Sequence, residues 1–288
     1  VTRAYGFSQG KILLLSPPGQ NSGVQVDSGL DDYMRFYERL ILDKNHTYSA
    51  HDLTARRDVS WSRQEVFRQA PGTGYYFPLI YAPQAVGLGV GRLFNLTIDT
   101  SYRLARLLSL VAVVMLLITA LLLYETPPLV TAFFMLPMTL FQMSSASLDG
   151  VSNALAVLAI SMYLNLSSQK HAVQRSLPLA FGGTLFILIS CRVYLLPMLL
   201  MPFALYLLNR QKNSLAIGGV TAVSVCAWLG VAISSTVDGR VSTGASTGTI
   251  IFYYLQHPLA YFDVLYTTLA APGNLYSYLA MFLGVLGW

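Results

Sequence analysis

Between Glu125 and Lys170 the sequence carries a single charged residue, Asp149, set in Ser144-Ser145-Ala146-Ser147-Leu148-Asp149-Gly150 with apolar sequence on both sides. A carboxylate so placed belongs at a membrane boundary, in a wet cavity or beside a cation, because an ionised acid at membrane depth is costly and marks a functional site by default. Composition agrees with a membrane setting: 54% of residues are hydrophobic and 11% charged, against roughly 25% charged in soluble domains. The charges are also segregated, 17 in residues 1–78 and 14 in the remainder. The sequence therefore predicts an all-α polytopic membrane protein. A polar first outer loop (1–78) leads into a multi-span domain (79–236), an outer loop (237–275) and the start of a further membrane helix (276–288).

The net charge of +5 does not point to nucleic acid. The bases sit in short loops between apolar segments, the positive-inside pattern rather than a phosphate-binding stripe. Cys191 and Cys226 both lie in apolar segments and are expected to be small core residues without a disulfide.

In the head, a helix over Arg3–Ser8, an extended Ile12–Leu15 and an amphipathic helix over Asp31–Leu42 are expected, with Trp61, Val66 and Phe67 as later anchors. Tyr75, Tyr76 and Tyr81 suit an interfacial aromatic belt. Gly87, Gly89 and Gly91 permit close helix packing in a run too short for a full span.

Residues 107–123 and 151–166 read as transmembrane helices. Arg92, Arg103 and Arg106 precede the first, which places its N-terminal end in the cytoplasm; Lys170, His171 and Arg175 follow the second, which places its C-terminal end there. On that count Pro127–Ser147 begins and ends outside, as two half-helices broken near Pro137 rather than a span. The 32 residues from Leu177 to Leu208 divide into two short helices at an outer tip near Arg192. Asp149 then faces outward, and Arg192 and Arg240 are the bases able to meet it. Arg suits phosphate, because its planar fork donates paired hydrogen bonds. Asp149 could orient an acceptor hydroxyl or hold a divalent metal; a helix cap is the alternative for it, with Ser147 as a rival cap.

Tyr76-Phe77-Pro78-Leu79-Ile80-Tyr81, followed by Arg103-Leu104-Ala105-Arg106-Leu107, resembles the pattern after the first outer loop of GT-C-type membrane glycosyltransferases. Ser145 to Ala154 is similar to their second acidic motif. Arg3-Ala4-Tyr5 and Gly284-Val285-Leu286-Gly287-Trp288 resemble motifs of a bacterial family of predicted membrane proteins of unknown function, grouped with that fold.

The resemblance implies a multi-pass protein of the bacterial cytoplasmic membrane that transfers a sugar from a polyprenyl-phosphate donor to a glycan or lipid acceptor. Asp149, the acidic position that carries over, would be catalytic and could ligate Mg or Mn; on that reading Arg192 or Arg240, taken from the topology above, would hold the phosphate, and Tyr76, Tyr81 and Asn153 would bind substrate, with snorkelling or an internal ion pair as the alternative for Arg192. It also implies an acidic pair before Val1. The chain then reads as a piece cut at both ends and inactive by itself. A transporter or flippase for a lipid-linked or anionic solute, or a non-catalytic envelope-assembly scaffold, are the alternatives.

Overall fold

The computed structural model describes residues 1–43, 47–125, 127–168, 176–209, 212–240 and 247–283. Two compact units emerge, Val1–Thr126 with Met143–Asp238, and Pro127–Gln142 with Gly239–Trp288.

The head starts with α1 (Thr2–Ser8), which buries Arg3, Ala4 and Tyr5. The strand β1 (Gly23–Asp27) follows, and then α2 (Ser28–Leu42), α3 (Ala50–Arg57) and β2 (Glu65–Gln69). β1 and β2 pair antiparallel, with Gly23 opposite Gln69 and Asp27 opposite Glu65. This two-stranded sheet adds to the helices expected for the head. α2 starts earlier than expected because Asp27 accepts a hydrogen bond from the Gly29 amide and caps it. Asp31, buried on α2, pairs with Arg68 of β2 and with Arg35, and Arg68 also holds Glu38. Burial alone raises the Asp31 carboxyl, but hydrogen bonds and charge from Arg68 and Arg35 outweigh it and hold the group below the ordinary carboxylate range.

A short 3-10 turn, Pro78–Tyr81, leads into α4 (Ala82–Leu93), and α5 (Ile98–Leu123) folds back antiparallel along it. A Cβ on Gly87 would overlap the backbone of Ala105, and one on Gly91 would overlap Ser101. Gly89 has room, with Ser8 at 3.8 Å. Two of the three glycines thus set the close approach. At 12 residues, or roughly 18 Å, α4 is no span; it covers only the first turns of α5. Gly87→Leu is expected to force α4 off α5 and to lower stability by about 1–3 kcal/mol, read as a fall in detergent thermal-unfolding midpoint. Gly89→Leu serves as the tolerated control.

The remaining helices of the first unit are α8 (Leu148–Ser168), α9 (Leu177–Cys191), α10 (Leu200–Asn209) and α11 (Lys212–Ser235). Before them come α6 (Pro128–Phe134) and α7 (Pro137–Ser144), two short helices that separate just before Pro137, as expected. α9 stops at Arg192, and a 3-10 segment Val193–Leu199 continues to α10, so the expected division also falls at Arg192. In the second unit α12 (Thr247–Gln256), α13 (Pro258–Ala270) and α14 (Asn274–Leu283) follow one another. Among the described residues, three helices are long and apolar enough to cross a membrane: Ile98–Leu123, Leu148–Ser168 and Asn213–Ser235. Their outward faces are apolar; on α5, Leu107, Val111, Met115 and Leu122 are all exposed, as expected of lipid-facing surface.

The directions of these helices correct one expectation. Arg106 at the start of α5 donates to the Ser144 carbonyl just before α8, at 3.1 Å, and Asn165 near the end of α8 donates to the Leu123 carbonyl at the end of α5, at 2.7 Å. So α5 and α8 run parallel, both away from the head. Residues 107–123 and 151–166 cannot then run in opposite senses. Leu123 and Ser144 therefore lie at opposite ends of the α5–α8 pair, roughly 26 Å apart, so the expectation that Pro127–Ser147 begins and ends on one side is not met.

The misleading signal was the basic cluster. Arg92 bonds Gln9 at 2.6 Å and lies over the Tyr5 ring, Arg103 pairs with Asp99 at 2.7 Å, and Arg106 holds Ser144. These bases are tied into the head and its neighbours and do not mark a loop. α9 and α11 return towards the head: Gly182 packs on Ile217 near their starts, and Trp228 donates to the Tyr75 carbonyl near the end of α11.

Cys226 is exposed on α11, whereas Cys191 is buried, and both are free thiols; only Cys191 meets the core expectation. Lys170, His171, Arg175, Arg210 and the Gly284–Trp288 motif lie outside the described residues.

Candidate functional site

The site forms where α8 begins and α9 ends. Ser147 Oγ accepts from the Asp149 amide at 3.2 Å and so caps α8. With capping assigned to Ser147, the Asp149 carboxylate is free to reach across to α9, where it forms an ion pair with Arg192. Arg192 also reaches Ser152 Oγ at 3.3 Å. The irregular backbone at Arg192, which closes α9, aims the guanidinium at the first turn of α8. Asp149 sits in that first turn, where the helix dipole favours a negative charge. The Asp149 side chain is 37% exposed and that of Arg192 17%, so the pair is part-covered yet reachable.

α4 closes one side. Gln84, 1% exposed, donates to the Ser147 carbonyl at 2.9 Å and fixes the turn before Asp149. The 3-10 turn Pro78–Tyr81 closes another: the Phe77 amide donates to the Ser190 carbonyl and the Cys191 thiol donates to the Phe77 carbonyl. Tyr81 is buried, which removes it from the aromatic belt, and its phenol lies within electrostatic range of Tyr76, Arg3 and Arg192. Asn153 lies one turn along α8 from Asp149, half-buried, on the same side of the helix. The structure thus gathers Asp149, Arg192 and Tyr81 into one region. Arg240 occupies an exposed bend in the second unit.

Gln84 and Ser152 were not legible as site residues, since nothing in a local pattern signals which polar side chain a distant helix will bury. The Asp149 carboxylate is engaged by a guanidinium, and among the described residues no three of His, Cys, Asp and Glu come together.

Beside this cluster, a cavity of about 830 Å³ opens between α2 and the first turns of α5, lined by Tyr33, Tyr37, Asp99, Tyr102, Arg103 and Arg106. Tyr33 donates to Asp99 at 2.8 Å. Arg106 links the cavity to the turn before Asp149 through its bond to Ser144.

No curated protein and no solved structure matches the chain. Apolar helices of membrane-crossing length, assembled under a polar head, agree with the family model that matches residues 2–288: the chain belongs to the family described as "Predicted membrane protein (DUF2142)".

Proposed function

We propose that the protein is a GT-C-type membrane glycosyltransferase of the bacterial cytoplasmic membrane, transferring a sugar from a polyprenyl-phosphate donor to a glycan or lipid acceptor on the outer face. The observation that carries the reading is the Asp149–Arg192 pair, part-exposed beneath the polar head at the mouth of apolar helices. There an acid and a base meet an amphiphilic substrate at the depth of its head group. Asp149 takes the proton of the acceptor hydroxyl as the new glycosidic bond forms, and a guanidinium stabilises the departing lipid phosphate. Tyr76, Tyr81 and Asn153 line the donor side. The tyrosine-lined cavity under α2 suits an acceptor sugar, because aromatic faces pack on its C–H groups. No step is routed through a metal.

The outer-face assignment follows from short-loop charge. The connections after Ser168 and Asn209, at the ends away from the head, carry Lys170, Arg175, Arg210 and Lys212, which favours a cytoplasmic location for those ends. Cysteines placed at Ser60 and at Glu125, both exposed, in a background lacking Cys226, check it. Ser60→Cys is expected to react with an impermeant thiol reagent in intact cells, and Glu125→Cys only after permeabilisation. The reverse pattern places the site in the cytoplasm and rejects a lipid-linked donor. The activity itself is tested with the full-length protein and a radiolabelled polyprenyl-phosphate sugar: transfer that depends on Asp149 supports the reading. Lipid movement without transfer supports a flippase.

A further inference from the structure

The cavity between α2 and the first turns of α5 has a volume of about 830 Å³, inside the range of small-molecule sites, roughly 300–1,000 Å³. It opens to the surface, where Glu38, Arg103 and Arg106 of its lining are exposed. Three phenol rings stand in its wall, Tyr33 and Tyr37 from α2 and Tyr102 from α5. Ring centres are 5.0 Å apart for Tyr33 and Tyr37, and 6.4 Å apart for Tyr33 and Tyr102. The Tyr102 hydroxyl has no hydrogen-bonding partner among the described residues.

The charged side chains of the lining are not equivalent. Asp99 accepts from Tyr33 at 2.8 Å on one carboxylate oxygen and from Arg103 at 2.7 Å on the other. Burial and that carboxylate push the Tyr33 phenol up, so it keeps its proton and its role as donor. Glu38 is paired with Arg68 of β2. Arg106 stands apart. Its Nε donates to the Ser144 carbonyl at 3.1 Å, which restrains the guanidinium. Its two terminal nitrogens hold neither a hydrogen bond nor a carboxylate among the described residues. That free pair is the fork that grips a carboxylate or phosphate through two parallel bonds.

A flat apolar molecule would cover the phenols and leave Arg106 unused. A bare anion would take Arg106 and leave the aromatic wall empty. We infer that the cavity binds an acidic sugar unit, one whose carboxylate or phosphate sits on the Arg106 guanidinium. The tyrosine faces pack on the C–H groups of the sugar ring, drawn by the negative face of the aromatic quadrupole, and the Tyr102 hydroxyl bonds a sugar hydroxyl. Arg106 also holds the turn before Asp149 through Ser144, so the cavity and that turn share one side chain. Assignment of the bound unit to the acceptor rests on the transferase reading; binding of an acidic sugar does not.

The test uses the full-length protein in nanodiscs of zwitterionic lipid, titrated with four probes and read by ligand-observed NMR. The probes are methyl β-glucuronide, methyl β-glucoside, glucose 6-phosphate and inorganic phosphate. The first two differ only in a carboxylate in place of a hydroxymethyl group. The wild type is expected to bind the glucuronide about tenfold or more tightly than the glucoside, the scale of a charge-assisted hydrogen bond. Arg106→Gln, which keeps a donor for the Ser144 carbonyl, should erase that preference. Tyr102→Leu should weaken both sugars alike and leave the preference intact. Glucose 6-phosphate binding more tightly than the glucuronide supports the site and assigns its charge to a phosphate.

The proposal is overturned if neither the glucuronide nor glucose 6-phosphate binds better than the glucoside, a comparison that needs no variant. A preference that survives in Arg106→Gln, or full affinity in Tyr102→Leu, also overturns it. So does inorganic phosphate binding as tightly as the acidic sugars, which would leave an anion site alone. Asp149→Asn is expected to bind the glucuronide normally. Absence of transfer therefore leaves this site standing, and loss of the sugar preference leaves the role of Asp149 untouched.

Discussion

Asp149→Asn is expected to lower sugar transfer by roughly a hundred- to ten-thousand-fold, the range lost with a general base, or about 3–5 kcal/mol of barrier. The substitution keeps size and an acceptor oxygen, so Ser147 still caps α8 and the fold persists. On the transferase reading it removes the group that takes the acceptor's proton, together with the charge that holds Arg192 in place. A structural ion pair would produce a loss as well, so the reversed pair, Asp149→Arg with Arg192→Asp, decides between them. It restores attraction across α8 and α9 and should recover most of the thermal stability lost in either single variant. Activity should not return, because the carboxylate then projects from α9. Recovery of both stability and transfer would make the pair a brace for the helices, and wild-type transfer by Asp149→Asn would remove the carboxylate from the mechanism.

The largest effect on folding is expected at Asp27, which is 1% exposed. Its carboxylate accepts from the Gly29 amide at 2.9 Å, from the Ser62 amide and hydroxyl at 3.0 Å each, and from the Arg63 amide at 2.7 Å. It thereby caps α2 and clasps the loop before β2, where Arg63 is held at φ 61°, a left-handed conformation unusual for a residue with a side chain. Asp27→Ala removes a buried carboxylate that accepts from three backbone amides, and hydrogen bonds to a charged group are worth about 1.5–3 kcal/mol each. A total of about 3 kcal/mol or more should appear as a marked fall in unfolding midpoint and in membrane yield. Asp27→Asn, which keeps one acceptor oxygen, should lose less. The same loop passes on to Val59, whose carbonyl accepts from the Ile98 amide at the start of α5 at 2.9 Å. Head and first long helix should therefore loosen together, and an unchanged midpoint in Asp27→Ala would show that the loop is held by other contacts.

Breaks and isolated charges were legible because they are local. Pro137 removes a helix hydrogen bond wherever it stands, and a lone acid such as Asp149 in apolar sequence has few places to go. Arg192 interrupts a run too long for one span, and the helix does end there. The direction of α5 was not legible. Arg92 and Arg106 look like loop bases from their neighbours in sequence, and only the folded chain supplies Gln9 and Tyr5 to the first and Ser144 to the second. Asp149 lies on the head's side even so, because the turn before α8 is bonded to Arg106 in the first half of α5. β1 and β2 escaped notice for a related reason: five-residue strands some forty positions apart pair through contacts that no sequence window contains. Gln84 and Ser152 were hidden likewise, since their importance comes from what is packed around them.

The shared direction of α5 and α8 also bears on how crossings are counted. A reporter fused after Glu125 and another fused after Ser168 are expected to sample one compartment, because Leu123 and Asn165 meet at the same end of the helix pair. Hydropathy finds a single strong helix in that interval, since the sequence before it forms helices of only seven and eight residues. Counting long apolar helices alone would put the two reporters on opposite faces.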